Sequence, residues 1–261
     1  MIAASSFSWR FWRVWQRNVI VYRRIWKVNF LVPLFEPAFY ILAFGLGFRQ
    51  MIGDVSYAGA TLSYTEFIAP ALVATSVMWN AFFETTYSSF VRMYYQKTFD
   101  AMLATPLSLE EIIVAEIAWS ATKAAAAALL MLVVLMLLGY VVFPLGLLAV
   151  IWAFLGGLAF GAIGMYFTGI VPTIDLFNLP IFLFITPMFL FSGTFFPVSG
   201  LPGWAQDLSL VFPLYHLVEL TRFVSLGRSE ATVLFSIAYL LLFSIFFIFL
   251  SLHYMRKKLI K

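Results

Sequence analysis

The chain has 261 residues, of which 63% are hydrophobic and 11% charged, with a net charge of +4 and no cysteine. Soluble domains carry about 25% charged residues, so this composition excludes an ordinary soluble globule. The missing cysteines exclude disulfides, thiol catalysis and cysteine-based metal sites, and the small charge, carried at the two ends, excludes an extended nucleic-acid surface.

Apolar runs of about eighteen residues or more recur along the chain, each long enough to cross a bilayer. Backbone polar groups in lipid must be satisfied within the protein, so spans are helices or a closed barrel. Strand-like alternation is absent and the runs exceed the length of barrel strands. The expected class is therefore an all-α integral membrane protein.

Residues 1–28 make the first unit. Trp12, Trp15, Val19, Tyr22 and Trp26 recur at helical spacing on one face, with Arg10, Arg13, Arg17 and Arg24 on the opposite face. This predicts a cytoplasmic amphipathic helix lying in the interface, its ring edges at headgroup depth. Such a helix serves as a topology anchor or as a gate that guides substrate.

Residues 29–252 hold the apolar runs. Six spans are predicted: Asn29–Phe48, Phe67–Phe90, Ile112 to about Phe143, Leu145–Ile170, Phe177–Phe196 and Val233–Leu252. No small-residue cleavage pattern follows the first run, which reads as a retained span. Basic residues precede span one (Arg10, Arg13, Arg17, Arg23, Arg24, Lys27) and follow span six in a basic tail, 253–261 (Arg256, Lys257, Lys258, Lys261). Both termini are then cytoplasmic, as is the loop Arg92–Glu111, while Arg49–Glu66 and Pro197–Thr232 face outward.

Two connecting segments stand out. RMYYQKTFDAMLATPLSLEEI, Arg92–Ile112, predicts a polar helix over Met93–Ala104, stopped by Thr105-Pro106, and a second helix restarting at Ser108. Phe99, Met102 and Leu103 share a face at the spacing that helix-in-groove docking uses. A polar helix held between two spans and facing the cytoplasm is placed to pass motion to a soluble partner. The outer stretch Ser192–Phe223 is too polar and too broken by Pro and Gly to span, yet rich in Phe, Leu and Trp. It predicts short helices dipping into the outer leaflet, packed on the bundle or lining a pathway.

Charges within spans are few: Glu36, Glu84, Glu116 and Lys123. Glu84 and Lys123 lie about 9 Å and about 16 Å from the cytoplasmic ends of spans two and three, and Glu116 only about 6 Å in, where it reaches the interface. Buried charge in a membrane needs a partner or water. Glu84 with Lys123 is the expected pair, either a structural clamp or polar lining of a substrate route. Glu36, between Pro33 and Pro37, serves a kinked backbone or a substrate. His216 and His253 are isolated, so no metal site is expected. Gly156, Gly157, Gly161 and Gly164 read as close helix contacts, and no G-x-x-x-x-G-K-[ST] loop cradles ATP here.

Three segments carry a family resemblance. KTFDAMLATPLSLEEIIVAE resembles the cytoplasmic coupling segment of type-2 ABC exporter permeases. FLFSGTFFPVSGLPGWAQDLSLVFPLYHLVELTR is similar to that family's outer signature. WNAFFETTYSSFVRMYYQKTFDAMLATP looks most like the NodJ-type, lipo-oligosaccharide-exporting branch, and the likeness covers essentially the whole chain. The resemblance implies six spans after an amphipathic helix, a coupling helix within 93–106 and re-entrant outer helices at 197–217. It implies coupling to the ATPase through Tyr95, Lys97, Phe99, Asp100, Met102, Leu103, Thr105 and Pro106. It also implies a homodimer, two copies of a separate ATPase subunit that hold ATP and Mg, and a glycolipid-like substrate moved outward. Drug or antibiotic efflux within the family is one alternative. A membrane-embedded glycosyl- or acyltransferase is another, which needs a polar catalytic cluster at one membrane face. A secondary transporter needs clearer repeats and charged midplane sites.

Overall fold

The computed structural model describes residues 8–27, 53–142 and 144–259, together with Phe35, Phe39 and Ala43. Apart from those last three residues, the expected first span lies outside the described residues, and so does Glu36. Helix α1 (Phe11–Arg24) precedes a hairpin of β1 (Asp54–Tyr57) and β2 (Ala60–Ser63), paired antiparallel. This two-stranded hairpin is an addition to a fold that is otherwise mostly helical among the described residues. Ala58 and Gly59, both at positive φ, make its tight turn.

Five of the described helices are long and apolar enough to cross a membrane: α2 (Tyr64–Tyr95), α4 (Leu109–Leu137), α5 (Leu145–Ile170), α6 (Ile174–Phe191) and α9 (Val233–Leu259). Short α3 (Thr98–Leu103) joins α2 to α4, and α7 (Gly203–Val211) and α8 (Pro213–Leu226) lie between α6 and α9. The chain is a multi-pass membrane protein. The last span runs on through Leu259, so the basic tail is its final turns up to that residue. Lys258 there donates to the carbonyls of Thr168 and Val171, both at 2.7 Å, capping the end of α5.

Local chemistry fixes where the helices begin. Ser63 and Glu66 form a reciprocal capping box at the start of α2, as do Ser108 and Glu111 at α4. Helix α5 sits centrally, against α2, α4, α8 and α9. Its glycines make that approach possible. A Cβ at Gly157 would lie 2.7 Å from Ala121 Cα, and one at Gly164 would lie 2.9 Å from the Phe82 carbonyl. Helices α6 and α9 turn large apolar side chains outward, among them Phe182, Leu183, Leu242 and Phe249.

Helix α2 is irregular. It is α-helical to Phe83 and then takes wide π-turns over Glu84–Ser88 and Val91–Tyr95. The hairpin at its start and α3 beyond its end therefore stand about 48 Å apart along the helix axis.

Candidate functional site

A polar cluster forms where α1, α2 and α4 meet, near the α3 end of the bundle. Glu84 accepts from Lys123 Nζ at 2.8 Å, Arg92 Nη1 at 2.9 Å and the Trp119 indole at 3.1 Å. Glu116 accepts from Ser89 Oγ at 2.7 Å, Arg92 Nε at 3.0 Å and Asn18 Nδ2 at 2.9 Å, and pairs again through Arg92 Nη2. The expected Glu84–Lys123 contact is thus formed within a larger network. Glu116 departs from expectation. It does not reach the interface but is fully buried, because Arg92 turns back into the bundle to meet it.

Two carboxylates face two cations, so the cluster is neutral and its hydrogen bonds are met from three elements. Charges this deep persist only when paired and hydrogen-bonded. The π-turn contributes directly. Ser89 N–H donates to the Glu84 carbonyl across the wide turn, while its hydroxyl reaches Glu116. Arg92, Ser89, Asn18 and Trp119 were not read from the sequence as members of this site. Arg92 closes a hydrophobic run containing Glu84, and that pairing of charges was its signal.

Helix α1 packs more closely on the bundle than a helix lying wholly in lipid. Trp15 donates from its indole to Thr122 Oγ1 at 3.1 Å. The rings of Trp15 and Tyr22 meet Trp119 edge-on, with centroids 6.3 and 5.5 Å away. Trp12 and Trp26 remain exposed, as does Arg13. Arg17 donates to Asn18 Oδ1 at 3.0 Å. Burial holds its guanidinium below the usual arginine range, opposed by nearby Glu116.

The connection between α2 and α4 corrects the coupling-helix reading. The helix does not run from Met93 to Ala104. It stops at Gln96, Lys97 adopts a left-handed φ of 53°, and only Thr98–Leu103 is α-helical after it. The expected docking face turns inward. Phe99 and Met102 are buried against Phe90, Met93, Leu109 and Ile112, and Leu103 is half-buried beside them. The outward surface is instead Tyr94, Tyr95, Gln96, Lys97, Asp100, Ala101, Ala104, Thr105 and Pro106. Lys97 and Asp100 form an exposed pair at 3.8 Å. Thr105 Oγ1 donates to the Met102 carbonyl at 2.6 Å, ending the helix. Arg10 holds the Pro106 carbonyl at 2.7 Å and Arg256 pairs with Glu110, so both ends of the described chain brace this segment.

At the opposite end, a second buried cluster joins elements that sequence reasoning left separate. Arg222 on α8 lies over the Phe67 ring at 3.8 Å and donates to the Phe67 carbonyl at 3.3 Å and the Gly193 carbonyl at 2.7 Å. Glu219 lies 3.6 Å from Arg222 and accepts from Tyr57 at 2.8 Å, Ser229 Oγ at 3.0 Å and the Glu230 amide at 2.7 Å. Burial first, and then Glu219, raise the pKa of the Tyr57 hydroxyl, so it stays protonated. The pair appears in the sequence as E-x-x-R within an apolar stretch. His216 is buried too, between Ser236 Oγ at 3.1 Å and the Leu210 carbonyl at 2.9 Å. Burial lowers its pKa, opposed by the Leu210 carbonyl and Glu219.

Comparison with known proteins follows the same outline. The profile of the ABC-2 type transporter family matches residues 10–226. Nodulation protein J of Rhizobium leguminosarum bv. trifolii is 38% identical over 260 residues, covering 100% of this chain and 97% of that protein. Nodulation protein J of Bradyrhizobium diazoefficiens is 31% identical over 100% of this chain and 97% of its own. The inner membrane transport permease YadH of Escherichia coli K12 is 24% identical, covering 90% of each chain.

Proposed function

Because the chain belongs to the ABC-2 type transporter family, we propose that it is the permease subunit of an exporter moving a lipid-linked or acylated oligosaccharide outward. Two copies form the pathway, and two copies of a separate ATPase chain hold ATP with Mg. The chain supplies no cofactor of its own. It sits in a bacterial inner membrane with both termini cytoplasmic.

The observation that carries the coupling role is the braced surface around α3. Its polar and aromatic residues face outward, and the polar cluster at Glu84 connects the same segment to three elements. A partner pressing on Tyr95, Lys97 and Asp100 would move a rigid lever rather than a solvated loop. The substrate class rests on full-length similarity to proteins named nodulation protein J, and on the segment WNAFFETTYSSFVRMYYQKTFDAMLATP. Glu84, Glu116 and Lys123 hold the helices that a pathway would move.

The test is reconstitution with the cognate ATPase in inverted vesicles and uptake of a labelled lipo-chitooligosaccharide. ATP-dependent uptake is expected. Uptake of hydrophobic drugs with none of the acylated saccharide would replace this cargo with drug efflux. Failure of the ATPase to bind would remove the coupling role.

A further inference from the structure

A groove of about 420 Å³ opens between α1 and the α2–α4 pair. Arg17, Arg92 and Lys123 line it against one carboxylate, Glu84. Glu116 lies behind, so three cations oppose two carboxylates and leave an excess of one positive charge.

The donors are unevenly spent. Arg92 is committed to Glu84, Glu116 and Ser89. Lys123 gives one bond to Glu84, and an ammonium has three donors. Arg17 gives one bond to the neutral Asn18 side chain and has no ion-pair partner among the described residues. A guanidinium carries five N–H donors in a planar fork that suits phosphate. Val21 and Ile25, about half exposed, line the same groove from α1 and give it an apolar lip.

We propose that this groove binds the phosphate of an anionic phospholipid headgroup, held between Arg17 on α1 and Lys123 on α4. Phosphate oxygens accept the donors that remain, in charge-assisted bonds. The apolar lip takes the first carbons of the lipid, a feature that a free phosphate ion leaves unused. Basic amphipathic helices already lie at headgroup depth, where anionic lipids concentrate. A zwitterionic lipid brings its own ammonium beside a positive cluster and is disfavoured. The bound lipid adds a link between α1 and α4 beside the Asn18–Glu116 and Trp15–Thr122 bonds. This inference is independent of the cargo.

The experiment uses the full chain in nanodiscs of phosphatidylcholine with a minor fraction of phosphatidylglycerol, and native mass spectrometry of retained lipid. Wild type is expected to retain phosphatidylglycerol selectively. Arg17→Gln should lower that selectivity roughly fivefold to tenfold. Arg13→Gln, on the exposed face of α1 outside the groove, should leave it unchanged. Size-exclusion and circular dichroism confirm that both variants are folded. Equal retention in Arg17→Gln and wild type, or equal losses in the two variants, would overturn the site. Inorganic phosphate in pure phosphatidylcholine discs is the second probe. If it raises the unfolding temperature through Arg17 while phosphatidylglycerol is not preferred, the occupant is a soluble phosphate and the lipid assignment falls.

Discussion

Asn18 on the peripheral helix and Glu116 on α4 meet inside the protein, with Nδ2 donating to Oε1 at 2.9 Å. Through Glu116 the same bond reaches Arg92, through Arg92 it reaches Glu84, and through Glu84 it reaches Lys123. One connected network therefore fixes α1, α2 and α4 to one another.

Within this network Arg92 is the member whose loss costs most. Arg92→Met leaves Glu116 without its ion-pair partner and Glu84 with Lys123 alone, and should cost about 3–5 kcal/mol. Lys123→Met leaves Glu84 its bonds to Arg92 and Trp119 and should cost less. Glu84→Gln combined with Lys123→Met should be milder than the sum of the two. Thermal unfolding in detergent ranks the variants. Equal losses for Arg92→Met and Lys123→Met would contradict the geometry.

The surface around α3 separates folding from coupling. Phe99 is buried within this chain, so Phe99→Ala should lower stability by about 3–5 kcal/mol. Tyr95 and Asp100 are exposed, and Tyr95→Ala with Asp100→Lys should leave the unfolding temperature near wild type while ATPase co-purification drops. The drop should depend on salt. Full ATPase stimulation in that double variant would mean the partner docks elsewhere.

Gly157 tests how tightly α5 is seated. A Cβ there meets the Ala121 backbone, which cannot rotate away as a side chain tip would. Gly157→Ala should cost about 1–3 kcal/mol by overpacking. At Gly203 a Cβ meets nothing within 4 Å, and Gly203→Ala should be close to neutral. Unfolding curves of the two variants give the comparison.

His216 sets a pH dependence. Its pKa is lowered in the folded protein by burial, so the unfolded chain binds the proton more readily. Stability should be full above the ordinary imidazole range and fall as pH drops through that range toward the lowered value. His216→Gln should flatten that slope. The measure is unfolding temperature against pH, and an unchanged slope in the variant would assign the effect to other groups.

Much of this was legible in the sequence because lipid makes length and charge informative. Helix α5 begins and ends at the residues its hydropathy indicated, and Glu84 finds Lys123 because a lone charge could not stay there. Residues whose roles depend on backbone geometry were harder to read. The π-turns place Ser89 under Glu84, a contact that α-helical spacing does not supply. Phe99 and Met102 have the spacing of a docking face, but spacing cannot say whether the groove they fill belongs to a partner or to the chain itself. Arg222 stood in plain view beside Glu219, yet nothing local in the sequence indicates that both are buried against the hairpin.

The wide turns of α2 have a mechanical consequence. Each π-turn closes its hydrogen bond over five residues where an α-turn uses four, so it holds one residue of slack. Letting one such residue run back into ordinary helix turns everything beyond it by about 100° and advances it by about 1.5 Å. The first of these turns carries Glu84 and the second carries Arg92, so both lie within the buried ion-pair network that leads to α3. Rotation at α3 can therefore be traded for a step along the helix axis only when Arg92 releases Glu84 and Glu116, while Phe67 and its neighbours at the far end stay seated.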